Sequence, residues 1–424
     1  MNKAEGILEA LEKNDVEFVQ LQFTNIEGKI KSMGVHASQV GEAIDEGLGF
    51  DGSSVTGYAE IEESDLILIP DLKTFKILPW KPQGKGVGRM FCNVCLPNGT
   101  PHECDPRSLL EGSLKTAKRM GYKFQVGVEI EFYLFKDGKK PIDEGKYLDY
   151  SPYDEAEELR TELALNLQKL GFIVEKIHHE VNPGQNELDL NYSDALETSD
   201  NVIACRQGLK ALGEERGLDV DYGPKPIPDG MGNGLHCHHS LADAETGENL
   251  FFDPSGKYRM SDLARHFLAG ELVHAPALTA LAASTPESYK RLVPGYEAPI
   301  YICWGGPNRS VMIRIPGYEI RSGAGMRFEY RTPDPMFNPY LLFTGMLAAG
   351  VDGIEKKLDP NPPVDKNVYE MNKEELEELG ISTLPGSLHE SLDALENDKI
   401  LRDALGKKML NKYVEIKRAE AINS

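Results

Sequence analysis

At 424 residues the chain is longer than one hydrophobic core usually supports, so two domains, or one large domain with insertions, are expected. Its 46 Lys and Arg stand against 68 Asp and Glu, a formal charge of −22, which argues against nucleic acid or an anionic membrane as the main partner. The 6 cysteines are too sparse for a disulfide framework and the longest mostly apolar stretch, Tyr340 to Val351, is too short to span a bilayer, so a cytoplasmic protein is expected.

The opening stretch, Lys3 to Asn14, is charged and amphipathic rather than basic and then apolar, so it reads as a helix and not as a signal peptide. In Glu17 to Val35, β-prone runs flank Asn25-Ile26-Glu27-Gly28, a hairpin signal. Asp65 to Trp80 and Gly88 to Cys95 read as further strands. Cys92 and Cys95, with His102 and Cys104 nearby, resemble a zinc set by count. A spacing of three in a strand turns the first two to opposite faces, so they are read as small hydrophobes. This strand-rich module ends near residue 100. From Pro106, which opens a helix after Asp105, helices and strands alternate. Helices are predicted at 106–120, 154–170, 199–216, 261–283, 338–357 and 386–404, and strands at 125–135, 172–181, 186–192, 234–241 and 326–332.

Three of those strands carry ionisable side chains at two-residue spacing: Glu129 and Glu131, His236 and His238, and Arg327, Glu329 and Arg331. Successive strand side chains point to opposite faces, so each set projects from one side of a sheet. Apolar neighbours around Glu129 and Glu131 predict a buried strand, where unpaired carboxylates are expensive and a cation is expected. Pro183-Gly184 is turn chemistry that would let Glu180 and Glu187 face each other across a hairpin. Glycines before His236 permit close approach of backbone to a ligand. Arg309 and Arg314 have opposite strand parity, and parity alone does not bring them together. Two like charges about 4 Å apart cost roughly 4 kcal/mol at an effective dielectric near 20, so such an acidic cluster must hold cations or stay partly protonated. Carboxylates, a His pair and several Arg together fit phosphoryl transfer with Mg²⁺ or Mn²⁺; a two-metal hydrolase also fits, although it has no need of so many Arg.

Laid end to end, these segments resemble type I glutamine synthetase from about residue 16 to about 420. The resemblance rests on Asp51-Gly-Ser-Ser54, Ile61 to Asp65, Glu129-Ile-Glu131, His178-His-Glu180 to Glu187, His236-Cys-His238, Ser288 to Pro299, Asn308-Arg309-Ser310 and Arg327 to Asp334, in that order. It implies an α+β fold, with a β-grasp N-terminal domain at residues 1–103 and a larger catalytic domain at 104–424 built on a curved antiparallel sheet with flanking helices. It implies that Glu131, Glu180 and Glu187 ligate one divalent cation and that Glu129, His236 and Glu329 ligate the other. His238, Ser240, Arg309, Arg314 and Arg327 would contact ATP, and Arg291 and Arg331 would hold glutamate, with Glu131, Gly232 and His236 also bordering the substrate. Asp51 and Glu297, with Ser54, Tyr147 and Glu180, match positions that receive ammonium and remove its proton, and Arg309 joins Asp51 and Glu297 as a catalytic residue.

The implied reaction phosphorylates the side chain of glutamate from ATP and then displaces phosphate with ammonia. The implied assembly is a homo-oligomeric six-membered ring in which a neighbour lends the Asp51 loop, with two rings stacking into a dodecamer. The sequence departs from the family pattern at Met231-Gly-Asn-Gly-Leu-His236, where Asn-Gly-Ser-Gly-Met-His is usual, and at Glu287, where Asn is usual. The Gly-Asn-Gly-x-His form is shared with related γ-glutamyl-amine ligases, so an organic amine is the alternative substrate; a non-catalytic paralogue is a third reading. Glu60 stands where an arginine-sensing feedback site would be, and the sequence closes at Ser424 without the Trp-containing tail of most members, which would leave ring stacking dependent on ligand or concentration.

Overall fold

The computed structural model describes residues 3–80, 85–138, 140–317 and 325–422. Helix α1 (Lys3–Lys13) buries Ile7 and Leu11, one turn apart, against the core of a six-stranded sheet. The strands are β1 (Val16–Thr24), β2 (Ile30–His36), β3 (Leu48–Asp51), β4 (Asp65–Pro70), β5 (Lys76–Ile77) and β6 (Gly86–Cys95), with α2 (Val40–Glu46) between β2 and β3. Their order is β2-β1-β6-β4-β3, with β5 also on β6 and a parallel β1–β6 pair inside the sheet, the β-grasp arrangement. The strand expected over Asp65 to Trp80 is interrupted: Pro70 has no N–H to continue a ladder, and Asp71 instead caps a single turn by accepting from the Lys73 N–H at 3.0 Å.

Helix α3 (Pro106–Arg119) begins where expected, with the Asp105 carboxylate accepting from the Ser108 N–H at 3.1 Å. Then come β7 (Tyr122–Lys136), β8 (Lys140–Pro141), α4 (Glu157–Lys169), β9 (Val174–His179), β10 (Gln185–Asp194), α5 (Ala195–Glu215), β11 (Leu218–Asp221) and β12 (Leu235–Asp243). Helices α6 (Asp262–Val273), α7 (Ala275–Ala282) and α8 (Ser288–Arg291) precede three short strands, β13 (Trp304–Gly305), β14 (Ile313–Arg314) and β15 (Phe328–Tyr330). The chain ends in α9 (Pro339–Lys356), α10 (Lys373–Glu378), α11 (Leu388–Asn397), α12 (Lys399–Leu405) and α13 (Lys407–Ile422). The second sheet runs β13-β14-β15-β12-β7-β10-β9, with β8 and β11 also pairing β7, and all but the β13–β14 contact is antiparallel. Phe124, Val126, Val128, Ile130 and Phe132 of β7 turn into a core closed by α5, α6 and α9, leaving the opposite face of the sheet for polar residues.

The helix expected over 261–283 is two helices, because Pro276 has no N–H for a continuous ladder and starts α7 instead. Likewise 386–404 divides at Asp398, whose carboxylate caps α12 by accepting from the Leu401 N–H at 3.0 Å. All six cysteines are free and buried, and none joins a metal-ligand group among the described residues. Asn338 ties the two sheets' modules together by donating to the Ile26 carbonyl at 3.1 Å.

Candidate active site

Strand register sets the polar face in rows. Glu187 on β10 lies opposite Glu131 on β7 and opposite His178 on β9. One pleat along, His236, Glu129, Asp189 and Lys176 run across β12, β7, β10 and β9. Glu329 on β15 is opposite both His238 and Arg314. These are the closest cross-strand neighbours a sheet offers.

The face lines a cavity of about 390 Å³ that contains Glu129, Glu131, Glu180, Glu187, His236 and Glu329, together with Gly232, Arg291, Glu297, Arg309, Arg314, Arg331 and Tyr147. A smaller cavity, about 80 Å³, holds His238, Ser240 and Arg327. Glu129, Lys176 and Asp189 border both. Arg309 and Arg314 therefore stand with the acidic residues of the larger cavity, apart from His238, Ser240 and Arg327, the three other residues assigned to ATP contact, in the smaller one. Asp51 and Ser54 line neither. They lie at the end of β3, exposed, with Asp51 accepting from the Ser53 and Ser54 hydroxyls, both at 2.6 Å. Those hydrogen bonds hold the Asp51 carboxyl below its usual range.

Close backbone passage closes the floor of the larger cavity. A side chain at Gly232 would meet the Pro224 carbonyl at 2.6 Å, and one at Gly234 would meet His236 Nε2 at 2.8 Å and Arg291 at 2.9 Å. Arg291 is buried and donates from Nη1 and Nη2 to the Thr332 and Arg331 carbonyls at 2.7 and 3.1 Å. Arg331 donates to Glu329 at 2.5 Å and to the Glu297 carbonyl at 3.2 Å, and Arg314 also donates to Glu329. Glu297 has φ +56, a left-handed conformation that costs a non-glycine residue roughly 1 kcal/mol and that turns this loop across the cavity.

Glu129 sits between two imidazoles, 3.1 Å from His236 Nδ1 and 2.8 Å from His238 Nε2. Burial alone would raise its pKa, but the charge of His238 and hydrogen bonds from both rings hold it well below the ordinary value. Elsewhere like charge wins. Burial and then Glu180 push Glu131 up to about 8, and burial with the nearby Glu297 pushes Glu180 to about 7. Glu187 is raised well above the usual range by burial, Glu129 and Asp189, whereas burial and Arg331 lower His236 to about 4. Carboxylates gathered around an imidazole that resists protonation are a donor set for a hard divalent cation, and ligand atoms of Glu129, His236 and Glu329 do lie within 4.8 Å of one another.

The second close group is His178, Glu180 and Glu187, again within 4.8 Å. Here the geometry differs from the sequence reading: the residue directly across the hairpin from Glu187 is His178, and Glu180 lies just beyond β9, its N–H donating to Gln185 O at 2.8 Å. Gly184 makes this turn with φ +70, where a side chain would press on Leu134 O at 2.9 Å. Glu131 shares the row, but its carboxylate turns toward Gly234, accepting from that N–H at 2.8 Å. Sequence reasoning left His178, Lys176, Asp189 and Gln185 unassigned. The two-residue parity shared by Lys176 and His178, and by Glu187 and Asp189, was the available signal.

Residues 103–423 match the family model described as glutamine synthetase, catalytic domain, and residues 15–97 match that of the glutamine synthetase beta-Grasp domain. The glutamine synthetase of Methanocaldococcus jannaschii is 44% identical over 431 residues, covering 98% of this chain and 94% of its own. That of Thermus thermophilus is 43% identical over 428 residues, covering 99% and 95%. Among solved structures, GmaS without ligand superposes with a TM-score of 0.89 at 32% identity, covering 98% of this chain and 96% of its own. The Plasmodium falciparum glutamine synthetase gives 0.89 at 26% identity, covering 100% and 96%. Among the described residues no helix is long and apolar enough to cross a membrane.

Proposed function

The chain belongs to the glutamine synthetase family, and from that premise we propose that it joins ammonia to the side-chain carboxylate of L-glutamate, using ATP and divalent cations, to give L-glutamine. The observation that carries this reading is the pair of adjoining cavities, one acidic and ringed with Arg, the other lined by His238, Ser240 and Arg327, with Glu129 in the wall between. A nucleotide in the smaller cavity would send its phosphates toward the larger one.

Glu129, His236 and Glu329 would hold one Mg²⁺ or Mn²⁺, and Glu131, Glu180 and Glu187 the other. Bound there, the cations supply positive charge that offsets the phosphates and the crowded carboxylates together. Arg291 and Arg331 orient the glutamate. An oxygen of its side-chain carboxylate attacks the γ-phosphorus of ATP, the bond to ADP breaks, and a γ-glutamyl phosphate forms. Arg309 and Arg314 spread the charge on the transferred group. Ammonium then gives a proton to Glu297, or to the Asp51 of an adjoining subunit, and the freed ammonia attacks the acyl carbon as phosphate leaves. The exposed Asp51 loop, away from both cavities of its own chain, supports a ring of six subunits in which residues 1–103 reach the neighbour's catalytic domain at residues 104–424, and two such rings stack.

A second reading, an organic amine in place of ammonia, is favoured by Met231, Leu148 and Tyr296, which give the larger cavity an apolar wall. Phosphate release from ATP with glutamate and either ammonium, methylamine, ethylamine or a polyamine, at equal free-base concentration, separates the two. Ammonium is expected to show the highest kcat/KM. A higher value for any of the amines would replace the first reading with the second.

A further inference from the structure

His178 is the one histidine of the larger cavity that the reading above leaves without a task. Its neighbour His179 points the other way, buried, with Nε2 3.0 Å from Asp143 and Nδ1 2.6 Å from the Glu180 carbonyl, and it fixes the backbone of this hairpin. His178 faces the cavity instead, with its side chain 15% exposed. Its Nδ1 lies 3.1 Å from the His179 carbonyl, which has no proton to give, so Nδ1 must carry the hydrogen and donate it. Nε2 is thereby the ring nitrogen turned to the site. That atom stands 3.0 Å from Glu187 Oε1, and the edge of the ring is braced against Tyr147 at 5.4 Å and 82°.

We infer that His178 is a nitrogen ligand of the divalent cation held by Glu180 and Glu187. An imidazole that gives its Nδ1–H to a backbone carbonyl and offers Nε2 to the site has the orientation in which protein histidines bind metals. Neighbouring ligands about 2.2 Å from an octahedral ion are roughly 3.1 Å apart, close to the separation of Nε2 and Oε1 here. Glu180 completes three donors within 4.8 Å, while Glu131 spends one oxygen on the Gly234 N–H and on Gln185. With His236 in the other group, each cation then has one imidazole. Nitrogen ligands favour transition ions over Mg²⁺, so the chain selects Mn²⁺ over Mg²⁺ more strongly than an all-carboxylate pair of sites would.

The inference rests on the divalent-cation reading of the site, and pulsed electron paramagnetic resonance of the full chain loaded with Mn²⁺ alone tests the two separately. With His236→Ala, Mn²⁺ at the remaining group should still show coupling to an imidazole ¹⁴N, which changes to ¹⁵N when the protein is made with ¹⁵N-histidine. The coupling should vanish in His236→Ala/His178→Gln. In the single variant His178→Gln, Mn²⁺ affinity should fall by about tenfold or more, with the Mn²⁺-over-Mg²⁺ preference reduced. Mn²⁺ bound to the His236→Ala protein without any histidine nitrogen coupling would overturn the inference alone. Failure of the wild-type chain to bind Mn²⁺ would overturn both it and the functional reading.

Discussion

Two buried ionic regions of this molecule are built on opposite rules. At the seam between the two sheets, Arg107 donates to Asp200 at 3.0 and 2.8 Å, to Asp71 at 2.9 Å and to Asn93 at 2.7 Å, and the Tyr340 hydroxyl adds a bond to Asp200 at 2.7 Å. Arg107, Asp71 and Asp200 are paired with one another within the chain. On the cavity face of the second sheet, Glu131, Glu180 and Glu187 crowd together until each is harder to ionise. The Arg107 cluster is matched as folded, whereas the cavity face calls for partners from outside, and that difference locates function more sharply than burial or charge alone.

The largest effect that sharpens this contrast is on turnover. Glu131→Gln and His236→Ala should each lower kcat/KM by about a thousandfold and weaken Mn²⁺ binding, while circular dichroism and the urea midpoint stay at or above the wild-type values. Loss of stability on removing a crowded carboxylate would break the comparison. Next in size is the seam itself. Arg107→Ala leaves Asp200 buried and unpaired and should cost about 3–5 kcal/mol in urea unfolding, with Mn²⁺ affinity per folded molecule unchanged.

A smaller, pH-dependent effect belongs to His274, placed 2.6 Å from Asp398 and 3.1 Å from Asp352. Burial opposes its protonation, yet the hydrogen bonds it donates to both carboxylates raise its pKa above the ordinary 6.5. A raised folded value means that the contribution to stability is fully present below the unfolded pKa and is lost as pH climbs through the folded one. The stability difference between wild type and His274→Gln, from urea curves, should therefore be largest near pH 6 and shrink toward pH 9. A difference growing with pH would refute the assignment. Least affected of all should be Lys399→Ala, which removes an ion pair to Asp403 at 2.7 Å whose side chains are 79% and 61% exposed, and the urea midpoint should not move measurably.

Much of this was legible from local pattern. Strand parity alone gathers Glu129 with Glu131 and His236 with His238, because a pleat leaves no other choice. Register is a property of strand pairs, and so the row that sets His178 rather than Glu180 opposite Glu187 was out of reach of any single segment. The α+β fold with its β-grasp module came from the resemblance and is borne out, but helix α13 was missed. Its inward face mixes Met409, Leu410, Tyr413 and Val414 with Lys417, which is buried while its amine pairs with Glu420, and this blurs the amphipathic signal. Arg309 and Arg314 reach one cavity through irregular chain and a two-residue strand, where periodicity says nothing.

Glu129 belongs to the wall of both cavities, with one oxygen toward His236 and the other toward His238. A carboxylate shared in this way makes the two compartments thermodynamically linked: whatever enters one and perturbs the charge or tilt of Glu129 changes affinity in the other. Linkage is reciprocal, so under the proposed function the factor by which a cation changes nucleotide affinity would equal the factor by which the nucleotide changes cation affinity.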